Sequence, residues 1–408
     1  MYDVIVVGGG AAGMFAAITA ANAGSRVLLL EKNPHRLGKK LNITGKGRCN
    51  VTNRCTAEEV LKNVPRNSRF LYSAMAGFPP EDAMAFFEAH GCPLKTERGN
   101  RVFPVSDRAQ SVIDALKSAL TEAGVEVRYA AAEGLLTRDG RVSGVHTAQK
   151  DFAAPRVILC TGGCSYPATG STGDGYPMAA AVGHTIVEPT GSLVPMVEDG
   201  HWCARMQGLS LRNVNVRLLD DRGKTVHEEF GELLFTHFGL SGPVILSMSA
   251  HMGKKASYTV SIDLKPALDE QKLDARILRD FGENRNRNFE NALSGLFHKT
   301  MIPVIVERSG IPPQLRVNAV TRQQRRALLE LTKHFTVKIA GLRPVEEAII
   351  TSGGVDVKQI DPRTMESKCL PGLYFAGEII DCDAYTGGFN LQIAWATAYA
   401  AGNAAGEK

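Results

Sequence analysis

The chain has 408 residues, enough for two domains or for one large domain that carries an insertion. Hydrophobic residues make up 44% and charged residues 22% of it, so the composition excludes intrinsic disorder, a collagen-like repeat and a disulfide scaffold. The formal net charge of +5 is too small to indicate a nucleic-acid-binding protein by itself.

The first predicted element is a short, buried parallel strand at residues 3–7, which are all apolar except the first. A glycine-rich turn follows at 8–13, then an alanine-rich helix at 14–23 and a second strand at 26–30 that ends in Glu31. This order of strand, GxGxxG turn, helix, strand and acidic residue is the dinucleotide-binding fingerprint.

Each residue type in the fingerprint has a physical role. Gly8 permits the tight turn, Gly10 allows the backbone to approach a pyrophosphate, and Gly13 allows close packing of helix on strand. The N terminus of the helix presents free N–H groups and positive dipole to phosphates. Glu31 is expected to accept hydrogen bonds from an adenosine ribose.

The stretch from Val4 to Ala21 carries no charge, and on length alone it resembles a membrane span. Four glycines interrupt it, and the three residues before it lack the positive region of a signal peptide. The eight cysteines are scattered without the density of a secreted scaffold or the spacing of a metal site. We therefore expect a cytoplasmic protein with reduced thiols, no membrane span and no metal.

A basic, glycine-rich segment at 38–50 follows the second strand. It is not a P-loop, because Lys46 is followed by Gly47 rather than by serine or threonine. Its backbone N–H groups and lysines suit a second approach to a pyrophosphate and to the edge of an isoalloxazine ring. The alternative is a solvated basic loop.

Residues 157–160 form a predicted strand, and 161–163 the turn after it. The glycines that follow are not spaced GxGxxG, so the sequence holds no second full fingerprint and does not predict a separate NAD(P)H domain. Residues 172–175 resemble the GDG turn that other flavoproteins with an insert place near adenine or pyrophosphate. A plain Gly-Asp turn is the alternative.

The middle of the chain, residues 191–341, holds 21 Lys or Arg against 16 Asp or Glu, whereas the remainder holds 26 of each. Alternating runs at 213–218 and 258–264 predict strands, and 273–281 and 322–335 predict helices. The whole net charge thus belongs to a segment that we interpret as an inserted domain.

Near the C terminus a short strand at 372–375 precedes two acidic residues, Glu378 and Asp381. A second glycine turn at 385–388 then opens an alanine-rich helix that is expected to run to about residue 401. In flavoproteins an acidic residue after such a strand holds the ribitol, and the next helix N terminus faces the pyrimidine of the flavin. Binding of FAD would use the motifs at both ends of the chain, whereas binding of NAD alone would not require both.

With these motifs, the sequence resembles the bacterial family of FAD-dependent oxidoreductases that includes aminoacetone oxidase and the BaiN and RdsA flavoproteins. The matching stretches span nearly the whole chain: VVGGGAAGMFAAITAANAG (6–24), LGKKLNITGKGRCNVTN (37–53), GELLFTHFGLSGPVIL (231–246), ITSGGVDVKQIDPRTMESK (350–368) and GLYFAGEIIDCDAYTGGFNLQIAWATA (372–398).

The resemblance implies an α/β fold: a discontinuous, Rossmann-like FAD-binding domain at 1–190 and 342–408, with a mixed β-plus-α substrate domain inserted at 191–341. FAD is the implied cofactor. The hydride is expected to come either from NAD(P)H that docks transiently or from the substrate itself. The residues assigned to cofactor binding are Gly8, Gly10, Ala12, Gly13, Glu31, Lys32, Lys39, Lys40, Thr44, Gly45, Gly47, Arg48, Cys49, Asn50, Thr161, Gly162, Gly377, Glu378, Asp381, Gly388, Phe389, Asn390 and Leu391.

Two activities within the family remain open. One is NAD(P)H-dependent reduction of a conjugated C=C bond in an apolar small molecule such as a 3-oxo bile acid or steroid; the other is O2-dependent amine oxidation. The substrate cavity is expected between the domains. The candidate catalytic groups are Tyr385, His237 and Tyr166, each with a packed structural role as its alternative.

A third hypothesis is an RNA-binding flavoprotein that uses the basic insert. Its patch would be the predicted helix that carries Arg322, Arg325, Arg326 and Lys333. No aromatic residues are interleaved with these cations, so a solvated helix face is the favoured explanation for them. We therefore expect a small-molecule substrate and no nucleic-acid partner.

Overall fold

The computed structural model describes residues 1–253 and 257–407. The chain divides into two compact units: Met1–Ser192 together with the residues from Pro344 onward, and Leu193–Arg343. The sequence-based boundaries were 190 and 342. Each unit has its own apolar core.

The first unit contains thirteen strands within the described residues: β1 (Val4–Val7), β2 (Val27–Glu31), β3 (Thr52–Asn53), β4 (Leu94–Glu97), β5 (Arg101–Pro104), β6 (Glu126–Tyr129), β7 (Ala132–Arg138), β8 (Arg141–Thr147), β9 (Phe152–Ala153), β10 (Arg156–Leu159), β11 (Ile186–Ser192), β18 (Ile350–Val355) and β19 (Leu373–Phe375). Its helices are α1 (Ala11–Asn22), α2 (Ala57–Lys62), α3 (Tyr72–Gly77), α4 (Pro80–Ala89), α5 (Ala109–Glu122), α6 (Gly175–Ala181) and α13 (Phe389–Gly406).

The second unit contains β12 (Met196–Glu198), β13 (Ser210–Leu219), β14 (Thr225–Phe235), β15 (Gly239–Ser241), β16 (Tyr258–Asp263) and β17 (Phe335–Leu342). Its helices are α7 (Trp202–Arg205), α8 (Pro243–Ser249), α9 (Glu270–Glu283), α10 (Phe289–Ala292), α11 (Ile302–Ser309) and α12 (Arg322–Lys333).

A five-stranded parallel sheet forms the centre of the first unit, in the order β19-β10-β1-β2-β6. All four residues of β1 and all five of β2 are buried, which explains why both are apolar apart from Glu31 at the end of β2. The α/β fold with a parallel, Rossmann-like sheet is confirmed. The carboxyl ends of β1, β2, β10 and β19 lie at one edge of this sheet, where ligands of such folds bind.

Helices α1 and α13 pack together although more than 360 residues separate them. Small residues make this contact close: a Cβ atom on Gly402 would lie 2.7 Å from the Cβ atom of Thr19 and from the carbonyl oxygen of Ala16. Both ends of the chain therefore contribute to the same region of the first unit.

The second unit is built on a closed barrel, in the order β12-β15-β14-β13-β16-β17, with helices beside it. The predicted strand at 213–218 lies within β13, the one at 258–264 matches β16 except for its last residue, and the predicted helix at 273–281 lies within α9. The predicted helix at 322–335 was too long: α12 ends at Lys333, because Phe335 is fully buried and pairs with Ile262 as the first residue of β17.

No helix among the described residues is long and apolar enough to cross a membrane. The uncharged stretch that resembled a span is divided between β1, the glycine turn and α1.

Candidate functional site

Gly8, in the turn after β1, and Gly13, the third residue of α1, have no room for a side chain. Gly8 has a φ of +102°, and a Cβ atom there would lie 2.5 Å from the carbonyl oxygen of Cys160. A Cβ atom on Gly13 would overlap the carbonyl oxygen of Gly8. The protein's own packing therefore requires glycine at both positions.

Gly10 is different, because nothing in the described protein needs it to be glycine. Its φ of −81° is accessible to any residue, and no described atom lies within 4 Å of a Cβ atom built on it. The space in front of Gly10 is open, at the N terminus of α1, whose first turn contains no acidic side chain. Free N–H groups beside open space are a site for a phosphate.

Glu31, the last residue of β2, is buried at the same edge of the sheet. Its Oε2 accepts a hydrogen bond of 2.7 Å from the backbone N–H of Gly9. Its Oε1 accepts from the backbone N–H and the side-chain amide of Asn33, at 2.6 and 2.7 Å. These bonds fix the carboxylate beside the turn.

One cavity is lined both by these features and by residues at the N terminus of α13, and the first unit supplies all of its lining. Of the residues assigned to cofactor binding from sequence, fourteen line it: Gly8, Gly10, Ala12, Glu31, Lys32, Lys39, Lys40, Thr44, Thr161, Gly162, Gly377, Glu378, Asn390 and Leu391. The assigned residues outside the lining are Gly13, Gly45, Gly47, Arg48, Cys49, Asn50, Asp381, Gly388 and Phe389.

The basic segment at 38–50 is divided between two environments. Lys39, Lys40 and Thr44 face the cavity, whereas Arg48 forms ion pairs with Glu97 at 2.8 Å and with Asp107 at 3.0 Å. The Arg48 guanidinium also lies 3.9 Å from the centre of the Phe103 ring. Its charge is thus directed to the protein's own acidic residues.

Cys49 and the side-chain oxygen of Asn50, directly after Arg48, are both buried. Cys49 is fully buried in a left-handed conformation, and burial raises the pKa of its thiol to about 12, so it remains protonated. The side-chain oxygen of Asn50 is buried and has no hydrogen-bond partner among the described residues. The hydroxyl of Thr161, which lines the cavity, is likewise buried and unpartnered there. Buried polar atoms of this kind usually bond to a ligand or to water.

Asp381 and Gly388 lie in the loop between β19 and α13, where they contact other parts of the protein and do not line the cavity. The Asp381 carboxylate accepts a hydrogen bond from Asn67 at 3.0 Å, and burial raises its pKa. A Cβ atom on Gly388 would overlap the backbone of Thr52. Asn390 closes the loop by bonding both the N–H and the carbonyl oxygen of Ala384, at 2.8 and 2.7 Å.

None of the three candidate catalytic residues lines the cavity. Tyr385 is half-buried, and its backbone N–H bonds to the carbonyl oxygen of Asn63. Tyr166 lies in a left-handed conformation at the start of a short turn. His237 belongs to the second unit, where its ring contacts Phe238.

Several residues of the cavity lining were not predicted from the sequence, and they include the following two groups. One surrounds the end of the cavity at Glu31 and includes Ala130, Ala132, Thr169 and Gly170, which carry no recognisable motif. Asp174 belongs to the same end, and the GDG turn was the signal for it. The other group, Ile349 and Ile350, precedes and begins β18.

The proposed RNA-binding patch is smaller than the sequence indicated. Arg325 forms an ion pair with Asp274 at 2.7 Å, and Lys333 with Asp263 at 2.6 Å. Lys333 also bonds the carbonyl oxygen of Leu268 at 2.8 Å. These two cations support the structure of the second unit, which leaves Arg322 and the exposed Arg326 as the outward-facing part of the patch.

The cavity fits FAD. An open approach at Gly10, a free helix N terminus, a fixed acidic residue at the end of β2 and the unpartnered Thr161 hydroxyl are features that an elongated phosphate-containing dinucleotide uses. The N terminus of α13 also borders the cavity, through Asn390 and Leu391.

Comparison with known proteins identifies the family. The model for the HI0933-like protein Rossmann domain matches residues 2–404. The 3-dehydro-bile acid delta(4,6)-reductase of Clostridium scindens is 30% identical over the full length of both chains. The ribosomal RNA dihydrouridine synthase of Escherichia coli is 30% identical over 98% of this chain and 96% of that one.

Solved structures show the same fold at lower identity. The 3-ketosteroid delta1-dehydrogenase of Sterolibacterium denitrificans aligns over 99% of both chains, with 14% identity and a TM-score of 0.53. The 3-ketosteroid-delta4-(5alpha)-dehydrogenase of Rhodococcus jostii covers all of this chain, and 97% of its own length is aligned, with 18% identity and a TM-score of 0.50. The chain belongs to the HI0933-like family of Rossmann-domain proteins and is an FAD-dependent oxidoreductase.

Proposed function

We propose that this protein uses FAD and NAD(P)H to reduce a C=C bond that is conjugated to a carbonyl group in an apolar small molecule, such as a 3-oxo bile acid or steroid. The observation that carries the proposal is the full-length similarity to the bile acid reductase. The name of the second relative, a dihydrouridine synthase, also denotes saturation of a C=C bond next to a carbonyl.

The structure supports a specific placement of FAD. We assign the adenosine to the end of the cavity at Glu31 and Asn33, and the pyrophosphate to the N terminus of α1 beside Gly10 and Ala12. The flavin ring is assigned to the end lined by Thr44 and Leu391, at the N terminus of α13. When bound there, FAD supplies the hydride for the reaction.

NAD(P)H is proposed to dock transiently, because the sequence contains no second fingerprint for a separate nucleotide domain. The chain's own contribution is to orient the substrate, exclude water and supply a proton after hydride transfer.

Uridine in RNA is a second candidate substrate. The similarity to the dihydrouridine synthase and the excess of cations in the second unit favour it. The internal ion pairs of Arg325 and Lys333 argue against a large binding patch on α12.

Oxidation of NADH and NADPH under nitrogen, in the presence of a 3-oxo-Δ4 bile acid, a uridine-containing RNA or aminoacetone, tests the proposal. We expect consumption with the bile acid and a product that is 2 Da heavier. Saturation of uridine without reaction of the bile acid would favour RNA as the substrate. Peroxide formation from aminoacetone in air, without consumption of either nicotinamide, would contradict the reductase reading.

An ion pair at the adenosine end predicts slow release of FAD. The Lys32 ammonium donates hydrogen bonds of 2.5 Å to both Asp174 and the Thr172 hydroxyl. It thereby joins the residue after β2 to the turn before α6. Both charged side chains are partly exposed, so the pair is worth at most about 1 kcal/mol.

The substitution Asp174→Asn should therefore accelerate FAD dissociation by up to about fivefold, and more weakly in high salt. Recovery of flavin fluorescence after dilution measures the rate. The charge-exchanged double variant Lys32→Asp with Asp174→Lys is the control, and it should recover part of the loss. Identical release rates for all three proteins would exclude a role for the pair.

A further inference from the structure

A network of hydrogen bonds joins four distant parts of the chain at the wall of the cavity. The Lys40 ammonium donates to Glu378 Oε2 and to Ser165 Oγ, each at 2.7 Å. Ser165, which is completely buried, donates to Glu378 Oε1 at 3.0 Å. The backbone N–H of Thr351 donates to the same carboxylate oxygen at 2.9 Å.

The network is rigid because its supports are also bonded. The Thr351 hydroxyl accepts from the N–H groups of Cys164 and Ser165, at 2.8 and 3.2 Å. A Cβ atom on Gly163 would collide with Thr351 and would lie 2.8 Å from Glu378 Oε1. Glu378 is therefore fixed from three sides, and it holds the Lys40 ammonium in one position.

Lys40 is the member of this network that can donate a proton to a ligand. Its side chain lines the cavity and retains 21% exposure, so it also has access to solvent. An ammonium carries three N–H groups, of which two are engaged by Glu378 and Ser165. The third has no acceptor among the described residues.

Other proton-bearing groups fit this role less well. Lys39 also lines the cavity, but its ammonium has no partner among the described residues that would orient it. The Tyr176 hydroxyl is buried and does not line the cavity, and burial together with Glu378 raises its pKa. Tyr385, Tyr166 and His237 lie outside the lining.

We propose that Lys40 is the proton donor of the reductase reaction and that Glu378 and Ser165 are its positioning residues. The proposal rests on the proposed function. It gives the Lys40–Glu378 pair a catalytic role in addition to any contact with the cofactor.

Bound FAD, reduced by NAD(P)H, would supply a hydride for the reaction. Once this hydride had formed a C–H bond at the β-carbon, the electron pair of the C=C bond would move to give an enolate. The Lys40 N–H bond then breaks, a new C–H bond forms at the α-carbon, and the amine is neutral. Water restores its proton through the exposed side of the ammonium.

Two substitutions separate proton donation from a structural role. Lys40→Met removes both the charge and the proton. Lys40→Arg keeps a cation that can bond Glu378, but a guanidinium does not give up its proton. Lys117→Met, on the exposed side of α5, is the control for loss of a lysine.

The experiment uses the FAD-loaded proteins under nitrogen in stopped flow, with absorbance at 450 nm. Reduction by NADPH and reoxidation by 2-cyclohexen-1-one or a 3-oxo-Δ4 bile acid are followed separately, and FAD content is measured for each protein. Rates are expressed per bound FAD, so that any loss of cofactor from the Lys40 variants does not enter the comparison. Reoxidation by the enone should be about 10²–10⁴-fold slower in both Lys40 variants, as for removal of a general acid. The control should match the wild type.

Reoxidation of Lys40→Arg at the wild-type rate would overturn the proposal and leave a purely structural ion pair. Failure of the wild-type protein itself to be reoxidised by either enone would instead overturn the proposed function and, with it, this role of Lys40.

Discussion

Substitution of Gly10 by valine is expected to abolish FAD retention while the protein stays folded. The added side chain meets no protein atom within 4 Å, and the backbone conformation is accessible to valine. It would instead occupy the open space at the N terminus of α1, where we place the pyrophosphate. The only cost to the fold is a poorer N-cap, about 1 kcal/mol.

The absorbance ratio of 450 to 280 nm after purification gives the flavin content, and circular dichroism gives the fold. We expect the wild type to be yellow and Gly10→Val to be colourless with an unchanged spectrum in the far ultraviolet. Normal flavin content in the folded variant would refute the assignment of the pyrophosphate site. Gly24→Val serves as a comparison for stability only. Gly24 has a φ of +93°, which strains a valine, and it lies in a turn outside the cavity lining.

Substitution of Gly13, the third residue of α1, by alanine is expected to destabilise the fold instead. Its Cβ atom would overlap the carbonyl oxygen of Gly8 and lie 3.2 Å from the Cβ atom of Cys160. The strand, the turn and the helix would have to move apart. We expect the free energy of unfolding to fall by about 3 kcal/mol or more.

Thermal unfolding of the apoproteins measures this effect, since it removes any contribution from bound flavin. The melting temperature of Gly13→Ala should fall by more than about 6 °C, whereas Gly10→Ala should change it by less than about 2 °C. Equal melting temperatures for the two variants would show that the turn is not packed as described.

The central sheet could be predicted from sequence because its strands are short apolar runs next to glycine turns. The helix after the turn was placed at 14–23 and lies at Ala11–Asn22, since helical geometry begins within the glycine sequence itself. The last helix was expected to end near 401 and continues to Gly406. Gly402 does not end it, because its lack of a side chain allows close contact with α1.

The arrangement of charges could not be predicted in the same way. Arg48 was assigned to the cofactor, and its partners Glu97 and Asp107 are about 50 and 60 residues further along the chain. Lys40 and Glu378 were each assigned to the cofactor, but nothing in the sequence indicates that they form one ion pair across 338 residues. Contacts of this range depend on how the strands are ordered in the sheet.

The positions of the three catalytic candidates relative to the cavity could not be predicted from the sequence either. Tyr385 and Tyr166 were selected for their position next to glycine turns, and His237 for its place in a family-like motif. Proximity in sequence did not bring any of them to the cavity lining, whereas Ser165, the neighbour of Tyr166, bonds to two lining residues.

A crystal structure of the yellow protein, purified with its flavin, is the decisive test of the FAD site. We expect one FAD per chain, with adenosine beside Glu31, pyrophosphate at Gly10 and the flavin ring at the end of the cavity near Thr44 and Leu391. Flavin bound in the reverse direction, or at a site outside this cavity, would contradict it.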